Sequence, residues 1–497
     1  MTETDPTTAA SVLGKITLGS PVAEHDTALA NYFIETDTFH RLIANAADTV
    51  AGDKGTGKSA LYRILAERFE SYPELGAISV VPAFNPAGTP VFQQLVDLDV
   101  LSEGEYIRLW KTYFFMLGGN WLLEQHGTVR PGRLQELEDL LVAAGLRIPS
   151  PEVRSVFARL FDKLTRPKTL ETTFTVTPDG IPLATATATF GEIGTADGTS
   201  EHHSPFIRHD DALAVLDACL SQTNFTLWMV LDRLDEAFQA RPEVEYPALR
   251  ALFRCYLDMQ SLEFVNVKLF VRNDLFRRII EGGFVNLTHV NARKITLTWE
   301  EEDLRSLLLR RLRESKEFLE AAGVANAPDD AVFDAVFPKK VDPGQKRPTT
   351  WNWMVTRIRD ANDVKSPRNL VDLVAKAIDA QMRREARIPR THHVGQPLLT
   401  GEALKAALLE LSRERVEDTL IAEAGESADL IRRFEGGKSE HSEESLAEIL
   451  GDGAHEKIKR LAALGLLEKI GSAYKIPALY RGGLSVTQGK AVARQRE

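Results

Sequence analysis

Cysteine is nearly absent from this chain of 497 residues, which holds two, Cys219 and Cys255. Both fall in apolar helical patterns without C-x-x-C or Cys/His spacing, which argues against a disulfide framework or a structural zinc site and reads them as buried thiols. Long apolar runs are lacking too. The longest that matters, Leu227 to Leu231, is strand-length, so no membrane span is expected. Met1 to Pro6 are polar and acidic, unlike a signal or transit peptide, and the expected location is cytoplasmic. Positive charge is in deficit: 60 Lys and Arg face 71 Asp and Glu, a net charge of −11. That disfavours a uniformly nucleic-acid-coating protein but leaves room for a local basic patch. No nuclease or protease constellation is visible, and no repeat array. The remaining composition, 43% apolar and 26% charged, is that of a globular protein, and the length predicts about two to four domains.

What is present is concentrated in one stretch. A short apolar run, Thr49 to Ala51, leads into Gly52-Asp53-Lys54-Gly55-Thr56-Gly57-Lys58-Ser59-Ala60, the G-x-x-x-x-G-K-S pattern of a phosphate-binding loop. Gly52 and Gly57 allow a tight turn, so that successive N–H groups from Asp53 to Ser59 face an anion. Lys58 adds a point charge for the β/γ oxygens, Ser59 a hydroxyl for Mg²⁺, and the helix that opens there its positive dipole end. Leu61, Ile64, Leu65 and Phe69 continue at helical spacing.

Thr226 to Leu231 is an apolar run ending in Asp232-Arg233-Leu234-Asp235-Glu236. It reads as a buried parallel strand with carboxylates at the end where open α/β sheets bind ligands. Asp232 is placed to hold Mg²⁺ through water, and Asp235 and Glu236 to orient and polarise an attacking water. A third buried strand, Val267 to Val271, ends in Arg272-Asn273, two candidates for sensing a γ-phosphate. Ala77 to Val81, closed by Pro82, and Ile295 to Trp299 supply two further strands.

Residues 87–206 form an insertion between the second strand and the acidic one, too long for an unstructured loop. Ser102 to Glu105 is a capping box before a stripe of Ile107, Trp110, Phe114, Leu117 and Trp121, read as core. Period-two residues around Pro178-Asp179-Gly180 predict a hairpin, and Gly191 to Pro205, with His202-His203, a loop. Beyond residue 301 strands give way to amphipathic helices. Ser366-Pro367-Arg368-Asn369-Leu370 opens one of them and aims Arg368 outward from its N-terminus. The last ~100 residues read as three helices and a hairpin around Gly471-Ser472, the order of a winged helix, with a local excess of Lys and Arg. The predicted fold class is α/β, a P-loop core with a parallel sheet. Its expected parts are a flexible segment 1–25, a core 26–300 with the α+β insertion, a helical lid 301–385 and a winged-helix-like domain 386–497.

Together these residues resemble STAND-type and related AAA+ P-loop ATPases, including bacterial versions carried in anti-phage defence loci. The resemblance rests on Gly52 to Ser59, Leu227 to Glu236, Phe270 to Asp274 and Ser366 to Leu370, and runs from about residue 30 to 485. It implies ATP and Mg²⁺ as cofactors, Lys58 and Ser59 as nucleotide and metal ligands, Asp232 as the metal-side carboxylate and Asp235 and Glu236 as water-activating acids. By the same resemblance Arg272 ends the sensor strand and Arg368 is the lid arginine. The implied activity is slow ATP hydrolysis that drives a switch, in a homo-oligomer or with a partner effector chain. The alternative is an origin-recognition-like ATPase that binds DNA through the winged helix, with Lys459, Arg460, Lys469 and Lys475 on phosphates. The lid and tail disfavour a small-molecule kinase.

Overall fold

The computed structural model describes residues 8–84, 102–147, 173–176, 182–185, 208–234, 242–281 and 283–491. The chain divides into two compact units. One comprises 37–53 and 58–297, the other 1–36, 54–57 and 298–497.

The first unit is built on a five-stranded parallel sheet. Its strands are β1 (Thr49–Gly52), β2 (Ile78–Phe84), β5 (Thr226–Leu231), β6 (Val265–Arg272) and β7 (Lys294–Thr296), in the order β2-β5-β6-β1-β7. β5 is apolar along nearly its whole length because both its faces are covered, and β6 is buried along most of its length with Lys268 inside it. Helix α1 (Lys58–Arg68) follows β1 directly and buries Leu61, Ile64 and Leu65. The fold class is α/β, as the sequence predicts.

Three expectations change. β2 does not stop at Pro82 but runs to Phe84, with a register shift between the two. It is an edge strand, where a residue without an N–H is tolerated. β7 ends at Thr296, so Trp299 lies beyond it. The helical part of the insertion is no appended subdomain: its α2 (Glu103–Gln125) and α3 (Arg133–Ala143) share the core of the sheet with α4 (His209–Thr223) and α5 (Pro242–Met259), which follow the insertion. The predicted capping box starts α2, with Ser102 and Glu105 bonded reciprocally. Trp110 is fully buried and donates its indole N–H to the Ala248 carbonyl at 2.9 Å. A Cβ on Gly118 would sit 2.6 Å from the Met229 methyl, so glycine lets α2 lie directly on β5. The predicted hairpin is an antiparallel pair, β3 (Thr173–Val176) and β4 (Pro182–Thr185); its turn at Pro178 to Gly180 and the His202-His203 loop lie outside the described residues. Cys219 and Cys255 are buried thiols, and burial pushes Cys219 up to about 11.

The second unit has one hydrophobic cluster running from residue 9 to 486, and the division at 385/386 marks no break in it. Its helices include α7 (Glu301–Glu314), α8 (Thr350–Ile358), α9 (Pro367–Glu385) and α10 (Gly401–Arg415), α6 being Asn273–Glu281 of the sheet unit. The Thr/Ala/Ser composition of the N-terminal segment predicts a frayed end. Instead a short helix, Ala9–Leu13, buries Val12 and Leu13. The same strap is pinned further on: the buried Arg311 guanidinium bonds Asp26 at 3.0 Å and covers the Tyr32 ring at 4.2 Å.

After α10 the order is β8 (Lys438–Ser442), α11 (Glu443–Leu450), α12 (Ala454–Ala463), β9 (Glu468–Ile470), β10 (Ala473–Lys475) and β11 (Thr487–Lys490), in a sheet ordered β11-β8-β10-β9. This is a winged helix with one added strand. The C-terminal end of α12 packs within the unit on the loop after α8. Ala361 N–H bonds the Gly465 carbonyl at 2.9 Å, and Arg359 bonds Glu468 at 3.0 Å.

Candidate functional site

Parallel strands put all their carboxyl ends on one edge of a sheet, and the chemistry-bearing residues of the sheet unit collect there. Gly52 ends β1 and Lys58 opens α1. The Lys58 ammonium donates to the Gly52 and Asp53 carbonyls, each at 2.9 Å, folding the lysine back over its own loop. Asn273, at the end of β6, donates to the Asp53 carboxylate at 2.9 Å. One of the two sensor candidates therefore touches the phosphate loop directly.

The other does not. Arg272 makes a two-pronged ion pair with Asp274, at 3.0 and 3.1 Å. Burial works to raise the Asp274 pKa, but the charges of Arg272 and Arg278 outweigh it and hold the carboxyl below its usual range. Asp232 follows β5 and is 2% exposed. Arg233 behind it takes a left-handed backbone, φ 56°, a conformation that costs energy for a residue with a Cβ and that clusters at functional turns. Asp235 and Glu236 lie outside the described residues.

Residues 54–57 belong to the second unit. Gly55 and Gly57 have φ of +78° and +100°, the left-handed region a tight anion-binding turn requires. Within that unit Ser366 donates its hydroxyl to the Gly55 carbonyl at 2.8 Å, Trp299 its indole N–H to the Thr56 carbonyl at 2.7 Å, and Lys54 its ammonium to the Asp418 carbonyl at 3.2 Å. Asp418 lies in a π-helical turn, Val416–Ile421, that continues α10. A Cβ added to Gly55 would meet the Arg368 Cβ at 3.2 Å, so Arg368 starts beside the loop. Arg415, at the end of α10, is ion-paired with Asp372. Burial first, then the neighbouring Arg368 charge, bring it down to about 10.

The donor set fits a Mg²⁺-polyphosphate in kind. A glycine turn with two positive-φ positions at a helix N-terminus offers N–H groups to an anion. Ser59 and Asp232 offer the hard oxygens that Mg²⁺ takes alongside phosphate. The sequence reading missed Trp299 and Ser366. Neither stands in the glycine motif: Ser366 opens the Ser366 to Leu370 element and Trp299 ends an expected strand, and no local pattern marks a side chain that reaches a loop hundreds of residues away.

No protein-family model matches the chain, and no curated protein matches it. Among solved structures it is similar to the Aeropyrum pernix ORC1 protein in complex with DNA, at 14% identity over 94% of this chain and 96% of that one, TM-score 0.36. It is also similar to a Walker-type ATPase of Pyrococcus abyssi, at 10% identity over 91% and 96%, TM-score 0.38. The Aeropyrum pernix ORC2 protein is similar at 14% identity over 93% and 92%, TM-score 0.34. All three TM-scores lie below 0.5, and the functional reading rests on the chain's own residues.

Proposed function

We propose that this chain is a Mg²⁺-dependent ATPase working as a nucleotide-controlled switch. The observation that carries the reading is the complete glycine loop between a buried parallel strand and a helix, with a buried aspartate at the carboxyl end of another strand of that sheet. Loop N–H groups and Lys58 hold the phosphates; Ser59 and Asp232 hold the metal. Bound Mg²⁺ neutralises charge that develops on the phosphate oxygens. Asp235 and Glu236 orient the water, Asn273 steadies Asp53, and Arg272 and Arg368 are the cations that read the γ-phosphate. Replacing Lys58 by Ala removes the charge at the β/γ oxygens and lowers ATP affinity or turnover by at least about thirtyfold. Unchanged binding and turnover in that variant would sink the assignment.

A STAND-type switch is the finer reading, in a homo-oligomer or with a partner effector chain, as in anti-phage assemblies. Arg272 is then held by Asp274 until a subunit boundary forms. Mass measured with and without ATP, alone and with the products of neighbouring genes, tests this; a chain that stays monomeric with every nucleotide and binds none of those products defeats it. The second reading, DNA binding, is favoured by one observation: α12 of the winged helix leaves His455, Lys459 and Arg460 exposed. Among the described residues no helix is long and apolar enough to cross a membrane.

A further inference from the structure

Two side chains outside the glycine motif hold successive carbonyls of its turn. Ser366 takes Gly55 at 2.8 Å and Trp299 takes Thr56 at 2.7 Å. They come from different places in the sequence. Ser366 is the N-cap residue of α9, and Trp299 lies three residues beyond β7. Thr56 is 2% exposed, so water is a poor substitute donor for its carbonyl. The fit at Gly55 is tight: a Cβ there would come within 2.6 Å of the Ser366 oxygen.

A trans peptide is planar, and the C=O of one residue points opposite to the N–H of the next. No peptide bond in the described chain is cis. Fixing the Gly55 carbonyl therefore fixes the Thr56 N–H in the opposite direction, and fixing the Thr56 carbonyl does the same for the Gly57 N–H. Those are two of the N–H groups that a phosphate-binding turn must present together.

We infer that Trp299 and Ser366 are positioning residues that hold two peptide planes of the turn with their N–H groups toward the phosphates of a bound nucleotide. The inference rests on the nucleotide-binding reading. It assigns binding strength to side chains that never touch the ligand. Preorganised donors lose no orientational freedom when the anion arrives, which is where the gain in affinity arises.

The test uses the full chain and the variants Trp299→Phe, Ser366→Ala and Ser366→Thr, with MgADP and adenosine as probes. Trp299→Phe keeps the ring and removes the N–H; Ser366→Ala is the smaller change should the tryptophan variant fail to fold. Each single loss weakens MgADP binding about threefold to tenfold, the range of one neutral hydrogen bond. Adenosine, which carries no phosphate, binds as before, and Ser366→Thr restores MgADP affinity. A merely structural role would shift both ligands alike. Lys58→Ala separates the two levels. If it abolishes MgADP binding while Trp299→Phe and Ser366→Ala bind normally, the positioning role is overturned and the site stands. If Lys58→Ala binds MgADP normally, the site reading falls and this inference with it.

Discussion

The Lys268 ammonium lies 2.7 Å from the Asp48 carboxylate, and both residues are buried in the sheet unit, Lys268 completely. Lys268 also donates to Asn45 at 2.6 Å and the Ala47 carbonyl at 2.9 Å, and its charge sits 4.1 Å from the centre of the Trp228 ring. Asp48 accepts from Tyr256 at 2.9 Å and is ion-paired with Arg293. A fully buried ammonium survives in the folded chain only because its donors are satisfied and a carboxylate faces it. Asp48→Asn keeps the shape and strands Lys268 and Arg293 without their counter-charge. The expected loss is about 3–5 kcal/mol of stability, read from urea unfolding. A loss below about 1 kcal/mol would mean the network adds nothing beyond packing.

The same pair gives a pH signature. Burial pushes Lys268 down to about 8 from 10.5, with Arg293 adding to the effect and Asp48 opposing it. Between those values the folded chain has released a proton that the unfolded chain still binds. Stability from this group therefore rises as pH goes from about 8 to 10.5, and the cost of the buried charge is fully present below that window. The urea midpoint of the parent protein should gain relative to Lys268→Met across this interval. Parallel curves would show that the lysine does not titrate there.

Glu236→Gln should bind ATP with Mg²⁺ and hydrolyse it roughly a hundredfold or more slowly, since the loss falls on the transition state. Single-turnover hydrolysis alongside equilibrium binding checks it. Weak binding with normal turnover per bound complex would move Glu236 to the ground-state site.

For the winged helix, duplex DNA binding that depends on α12 must weaken with salt. Neutralising Lys459 and Arg460 together should lower the slope of log affinity against log salt by about 2. Lys459 is already paired with Glu456 at 3.0 Å on the surface, so its share is the smaller. Absence of any duplex binding at low salt with ATP present favours the switch reading, with the tail as a packing module.

How much the sequence revealed depended on where each signal lay. β5 and β6 were legible because strands buried on both faces must be apolar runs, although Lys268 interrupts β6 with a charge whose partner, Asp48, is far off in sequence. β8, Lys-Ser-Glu-His-Ser, was not legible. It has no apolar alternation, and its buried His441 is satisfied by the Lys438 carbonyl at 2.7 Å rather than by packing alone. β11 was missed for the same reason. The stripe on α2 was read as core, but its role as a layer on the sheet depends on Gly118, which sequence spacing does not single out. In the candidate site the glycine loop and Asp232 were legible as local patterns. The hold of Ser366 and Trp299 on the turn was not, because it is created only when distant segments meet.

The course of β2 past Pro82 bears on how copies of this chain could associate. Open β edges recruit further strands, from neighbours or from misfolded copies, through their unpaired N–H and C=O groups. Here one outer strand carries an imino residue and a register slip, and the other, β7, is three residues long. Both edges are thus blunted as templates. Self-assembly of this chain by adding strands to the five-stranded sheet is thereby disfavoured.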